Sequence, residues 1–374
     1  MNSLITLCIF IVILFLYIHI ANQFKKGDEL EIYEADFSST RHLEDVCELK
    51  QPVLMNMDNV IPNLFDDIIP ENIARFSSHD VNIKDVDDYF TEEQESVDSI
   101  LLPFHTTIKF LESDKKNHLF SENNTDFLEE SGLIKKLKTA DTVLKPSFTL
   151  SSRYDLWFGS CGTSLPFRYH TDSRQFLCVT SGKIRVKMTP WKSNKYLHPF
   201  KDYENYEFRS PVHPNAPDPI FRNDLEKTNF IEFDVKQGYL LYIPSYWWYS
   251  ITYLDDPATY ICNFTYSTLI NNISNIWDLS IYFLQQQNIK QKPPKTLHED
   301  VSLEVEKQIP IEEENNTSTT KISDLEVDDQ TKEVQEKEEE KEEEKEKLYD
   351  ISSNLTEVKQ LPNKENITYT VSSI

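Results

Sequence analysis

Residues 156–265 set short runs of β-branched and aromatic residues between glycines, and this punctuation constrains the fold more than any other feature of the chain. Four of the six glycines, Gly159, Gly162, Gly182 and Gly238, lie in that stretch. Glycine takes a positive φ without steric penalty, so in a chain this poor in it the four mark corners. The runs between corners read as strands over residues 148–151, 154–158, 176–180, 183–188, 230–233, 239–243, 248–253 and 259–266. Many short strands divided by turn signals predict an all-β barrel or sandwich. The polar excursion at residues 192–227, rich in Pro and Asn, reads as an insertion between strands. Residues 276–287 read as a closing amphipathic helix, with Trp277, Ile281, Phe283 and Leu284 as packing positions.

Residues 4–20 form an apolar run broken only by Thr6 and His19. That length is at the short end of what spans a bilayer as a helix. The start, Met1-Asn2-Ser3, carries no charged side chain, and no small-x-small cleavage site follows, so residues 1–24 are expected to be a retained membrane anchor. Lys25 and Lys26 beyond it favour a cytosolic body. Residues 29–33 and 52–57 read as strands, with a short helix at 38–47 between them. Residues 85–102 carry mixed helical signals, 106–111 alternate as a strand does, and Asp126 is placed to cap a helix to Leu137 that Gly132 interrupts.

The formal net charge is -25, and much of it comes from beyond Pro293, where residues 333–347 are almost entirely Glu and Lys. Such a composition cannot bury enough apolar surface to offset chain entropy, so residues 291–374 are expected to be a disordered acidic tail. A single solvated helix is the alternative for the Glu/Lys run, since i,i+4 pairs favour it. The acidic balance argues against nucleic acid as a partner bound through charge. The five cysteines show no C-x-x-C spacing, which indicates neither a zinc knuckle nor a disulfide framework and fits a reducing compartment. Asn-x-Ser/Thr sequons, as at Asn123, Asn272 and Asn366, arise by chance in a chain rich in those residues.

His170-Thr171-Asp172 is two thirds of the two-His, one-carboxylate set that holds non-haem Fe(II) with positions open for cosubstrate and dioxygen. On a strand, i and i+2 point the same way, so both side chains can face one interior. The surroundings add specificity: Trp157 to Thr163 before the motif, Gly182-Lys183-Ile184-Arg185 after it, Gly238 to Tyr249 with its Tyr242-Ile243-Pro244 and Trp247-Trp248, and Asn263-Phe264 at the close. Together they resemble the JmjC-type (cupin-8) family of 2-oxoglutarate oxygenases, most closely its asparaginyl hydroxylase branch. The likeness extends more loosely to residues 29–57, with Lys50-Gln51-Pro52-Val53 in the place of that family's K-x-P-V strand.

The resemblance implies a double-stranded β-helix, a jelly-roll cupin with an all-β core and flanking helices, over residues 28–290. It implies Fe(II) held by His170, Asp172 and residue 249, and 2-oxoglutarate held by a lysine near Gly182 and by Asn263. Four departures bear on this. The distal histidine falls on Tyr249, a phenol that stays protonated near neutral pH unless a metal lowers its pKa. Tyr239 stands where the family has Asp, and Phe167 where it has a small polar residue. The G-x-K position falls on Ile184, and Lys183 and Arg185 share the opposite strand face, so a one-residue slip or bulge is needed to turn either inward.

Plainer readings stand beside each role. His170 and Asp172 can form a hydrogen-bonded pair without metal, Lys183 can be a solvated strand residue, and Asn263 can satisfy buried backbone groups. Trp247 and Trp248 are packing residues under any activity, and His198 and His213 are loop histidines that stand in reserve as replacement ligands. Three functions follow: a membrane-anchored binding or scaffold module with a degenerate metal site and no required cofactor; a working Fe(II)/2-oxoglutarate hydroxylase in which Lys183 pairs the distal carboxylate; or a cupin that holds a small sugar or acid without metal. A protein or peptide partner, and a homodimer through the C-terminal helix, are the expected associations besides the membrane.

Overall fold

The computed structural model describes residues 2–91, 96–255 and 259–287. The expectations for the tail at 291–374, for its Glu/Lys run and for Asn366 lie outside the described residues. In chain order the strands are β1 (Tyr33–Asp36), β2 (Val53–Asn56), β3 (Asp80–Asp85), β4 (Ile100–Pro103), β5 (Leu119–Ser121), β6 (Thr149–Gly159), β7 (Arg168–Tyr169), β8 (Arg174–Ser181), β9 (Lys183–Thr189), β10 (Phe200–Asp202), β11 (Glu207–Arg209), β12 (Ile231–Lys236), β13 (Tyr239–Ile243), β14 (Trp248–Tyr253) and β15 (Thr259–Thr268). The helices are α1 (Asn2–Gln23), α2 (Thr40–Cys47), α3 (Pro62–Asp67), α4 (Pro70–Ile73), α5 (Phe104–Ser113), α6 (Thr125–Glu130), α7 (Ile134–Leu137), α8 (Asp141–Leu144), α9 (Pro219–Leu225), α10 (Leu269–Ser274) and α11 (Ile276–Gln286).

The strands form a nine-stranded sheet, β1-β2-β13-β8-β15-β6-β5-β3-β4, and a six-stranded sheet, β10-β11-β7-β14-β9-β12. Strand alternation makes the larger sheet the middle of three layers. On β8, Phe176 and Cys178 pack on the helix side with Leu43 of α2 and Leu144 of α8. Leu177 and Val179 point the other way, into a second core shared with Ile184, Val186 and Met188 of β9 and Ile251 of β14. Covered on both faces, β8 is buried along nearly its whole length, the pattern of a central strand between two layers. β9 faces solvent on one side and alternates: Ile184, Val186 and Met188 are buried while Lys183, Arg185 and Lys187 are not. The β8–β9 corner needs its glycine, since Gly182 sits at φ +75° and a Cβ there would lie 2.6 Å from Thr259 Oγ1.

Several local expectations shift. Residues 106–111 are helical, inside α5, because Phe104, Thr107 and Leu111 bury one face at a helical spacing that also passes for alternation. The first strand is β1, starting where the 29–33 run ends, and it pairs in parallel with β2. The helix expected from Asp126 to Leu137 is two short ones, α6 and α7, with Gly132 at φ +73° between them. Residues 148–151 and 154–158 join in one strand, β6. The mixed signals at 85–102 resolve into a 3-10 turn at Asp87–Phe90 and the edge strand β4. The polar excursion is more than an insertion: its β11 pairs with β7, Phe208 opposite Tyr169, and so joins the smaller sheet. The closing helix forms, but Trp277, Phe283 and Leu284 point to solvent and not into a core.

Candidate functional site

Between the sheets lies a cavity of about 570 Å³ that His170, Asp172, Tyr249 and Asn263 all line. β7 ends at Tyr169, so His170 and Asp172 follow it on irregular backbone, and Tyr246 N–H holds the chain there by donating to His170 O (2.9 Å). The imidazole is committed on one side: His170 Nε2 donates to the Ile243 carbonyl (3.0 Å). Its Nδ1 is buried with no partner among the described residues. Burial pushes the ring's pKa down, and the Asp172 charge and the Ile243 backbone hydrogen bond offset this only in part.

Each oxygen of Asp172 accepts one hydrogen bond from the protein. Arg153 Nη2 donates to Oδ2 (2.6 Å), and the Ser267 hydroxyl donates to Oδ1. Tyr249 enters from β14, directly opposite Arg168 of β7. Its hydroxyl donates to Gln175 Oε1 (3.3 Å), and Gln175 Nε2 donates to Asn263 Oδ1 (3.0 Å). Burial raises the phenol's pKa, and the nearby Arg168 charge and the Gln175 hydrogen bond only partly offset it. With no metal beside it the phenol stays protonated.

Lys183 is not in the cavity. β9 runs against β12 without a slip, from Lys183 opposite Lys236 to Met188 opposite Ile231. Period two then keeps Lys183 outward, 3.6 Å from Asp234 Oδ2, and puts the fully buried Ile184 inward. Arg185 also pairs with Asp234, Nε to Oδ1 at 2.8 Å. The cosubstrate-clamp role expected of Lys183 is corrected accordingly. Phe167 stacks on Phe230 (5.1 Å) in a separate aromatic cluster. Neither reserve histidine reaches the cavity: His198 pairs with Asp224 (3.0 Å), and His213 Nδ1 accepts from the Asn215 and Ala216 amides.

Two cations that motif reasoning missed line the cavity, Arg153, already met at Asp172, and Arg168. Arg168 Nη1 donates to Glu122 Oε2 (2.7 Å) and lies 3.6 Å from Glu207 Oε1, while the far oxygen of Glu122 binds Lys84 Nζ (3.0 Å). The guanidinium sits 4.7 Å from the Trp157 ring centroid and 5.9 Å from that of Tyr249. Burial alone would raise the Glu122 carboxyl, but Arg168 and Lys84 outweigh it and hold it down at about 2. Glu207, farther from a cation, is raised by burial. Glu122, Lys84 and Glu207 come from remote segments, and no spacing links them.

Residues 58–272 match the family described as the Cupin-like domain, which is more than half of the chain. The protein is a member of that cupin-like, JmjC-related family. It is similar to JmjC domain-containing protein D of Dictyostelium discoideum, 29% identical over 99 residues, 25% of this chain. The match spans only 21% of that relative's length. Members of the family commonly use Fe(II) and 2-oxoglutarate, and the residues here do not fit that pair. Among the described residues no three His, Cys, Asp or Glu side chains gather as a metal set. Asp172 is held by Arg153 and Ser267, Tyr249 is a neutral phenol, and Ile184 fills the lysine position.

Proposed function

We propose that this protein is a membrane-anchored, jelly-roll cupin that works as a binding module, a relative of the Fe(II)/2-oxoglutarate hydroxylases that no longer needs the metal. The observation that carries the reading is Tyr249, a phenol bonded to Gln175 in the cavity that His170 and Asp172 line, where among the described residues no third His, Cys, Asp or Glu completes a metal set. Beside the paired charges of Arg168, Glu122, Arg153 and Asp172, the pocket wall holds amides, a hydroxyl and an aromatic platform: Asn263, Gln175, Thr265, Trp157 and Tyr249. Such a wall suits a small polar ligand or a peptide side chain, recognised by hydrogen bonds and ring stacking. In this reading α1, with a candidate span over Ser3–Gln23, anchors the chain, and Lys25 and Lys26 leave the domain on the cytosolic side.

The test is anaerobic Fe(II) titration of the full chain in nanodiscs, followed by measurement of succinate formed from 2-oxoglutarate. The expected result is no stoichiometric iron and no succinate. Succinate release by the unmodified chain overturns the reading and supports the hydroxylase alternative. One observation favours that alternative: His170 Nδ1 has no partner and shares the cavity with Asp172.

A further inference from the structure

The two helices that close the domain carry their polarity inside out. On α11 two polar side chains reach back to the protein: Asp278 Oδ1 accepts from the Tyr203 hydroxyl (2.6 Å) and pairs with Lys201 (2.9 Å), and Gln286 donates to the Glu204 carbonyl (2.7 Å). The opposite face holds Ile276, Trp277, Phe283 and Leu284, spaced i, i+1, i+7 and i+8, and they are 61%, 75%, 61% and 61% exposed. On α10, Asn271 donates inward to the Thr171 carbonyl (2.8 Å), while Leu269 and Ile273 face out. Asp278 is the one charged residue from 269 to 287, and it points inward, so no charge interrupts the outer face. Ser280 lies within that face, with its hydroxyl turned back onto the Ile276 carbonyl (2.6 Å), and an uncharged, largely apolar surface with exposed aromatics marks a docking face.

The neighbour of that face says what covers it. α1 packs beside α10, and the part-covered positions Leu16, Ile20 and Gln23 recur at helical spacing along its last turns. α1 has 22 residues, which makes it about 33 Å long, just enough for a hydrocarbon core of about 30 Å, so a crossing α1 brings its end at Gln23 to the membrane surface. α10, packed beside that end, then lies at the boundary of core and headgroups, where an apolar helix face lies flat and where Trp is enriched. Leu279, Tyr282 and Phe283 also line the cavity. Since α11 is a surface helix with no buried residue, they line its outer end.

We infer that α10 and α11 lie on the bilayer that α1 crosses, with Trp277, Phe283 and Leu284 in the interfacial layer, so that the cavity opens at the lipid surface. The inference rests on the anchoring role proposed for α1. Its occupant is lipid, and a second copy of the chain is the competing cover. The test uses the full chain in phosphatidylcholine nanodiscs whose acyl chains carry bromine at a shallow position, and compares tryptophan emission of the wild type with Trp277→Phe. The other four tryptophans, Trp157, Trp191, Trp247 and Trp248, remain in the variant. The expected result is strong quenching in the wild type, with at least half of the quenched intensity lost in Trp277→Phe. Retention in the disc with quenching unchanged by Trp277→Phe overturns the inference and leaves the anchor standing. So does cross-linking that places Trp277 against a second copy and away from bromine. Release of the chain from membranes by alkaline carbonate overturns the anchor and the inference together.

Discussion

Arg168 and Glu122 meet at 2.7 Å with only 9% and 4% of their side chains exposed; the other oxygen of Glu122 is held by Lys84, and the same Nη1 of Arg168 lies 3.6 Å from Glu207. A row of alternating charges, Lys84, Glu122, Arg168 and Glu207, therefore crosses the interior beside the cavity. Removing one member leaves its neighbours buried and uncompensated, which costs about 3–5 kcal/mol. Arg168→Met and Glu122→Gln are each expected to destabilise the chain by that order in denaturant unfolding. The double variant is expected to cost less than the sum by more than about 1 kcal/mol, since the two sites share one interaction.

The same pair sets a pH dependence. The folded Glu122 carboxyl is held at about 2 against an ordinary value of 4.5. A depressed carboxyl contributes stability that is fully present above the unfolded pKa and is lost as pH falls through the folded one. The stability gap between wild type and Glu122→Gln should thus be constant above pH 4.5 and close between pH 4.5 and about 2. Thermal unfolding of both proteins across that range checks it, and a gap that widens as pH falls contradicts the assignment.

Lys183→Ala is expected to leave stability within about 0.5 kcal/mol and to leave any ligand affinity of the cavity unchanged. Its ion pair with Asp234 is part-exposed, with 33% and 29% of the side chains accessible, and Asp234 keeps Arg185. Exposed pairs of this kind contribute little. Calorimetry on the variant checks this. A loss of 2-oxoglutarate binding would restore Lys183 to the role that its place after Gly182 suggests.

Tyr249→His alone is expected to gain little affinity for Fe(II), because Asp172 stays occupied by Arg153 and Ser267. Adding Arg153→Ala frees Oδ2 of Asp172, and Fe(II) affinity is expected to rise at least about tenfold over the single variant, or about 1.4 kcal/mol. Anaerobic titration followed by metal analysis reads the difference. Equal affinities in the two variants would show that Arg153 does not guard the carboxylate.

Much of this was legible before any coordinates. Alternation along β8 and β9 follows from residue type, and so does the turn at Gly182, because a positive φ beside Thr259 leaves room for nothing larger. Strand parity alone places Lys183 outward and Ile184 inward. The residues 106–111 were misread because four or five residues satisfy a period of two and one of 3.6 equally well. The partners of the His170 and Asp172 side chains were not legible, since Ile243, Arg153 and Ser267 lie far away along the chain.

The sequence by itself determined the family, the β-rich core, the neighbourhood of His170 and Asp172, and the missing distal imidazole at Tyr249, because each depends on residue identity and short-range periodicity. Tertiary structure alone decided which cations line the cavity, what occupies the Asp172 carboxylate, and that the apolar stripe of α11 turns outward. Those outcomes depend on contacts between remote segments: Arg168 with Glu122, Arg153 with Asp172, and Asp278 with Lys201 and Tyr203. A periodic pattern shows that a helix has two faces, and only the partners it meets settle which of them is covered.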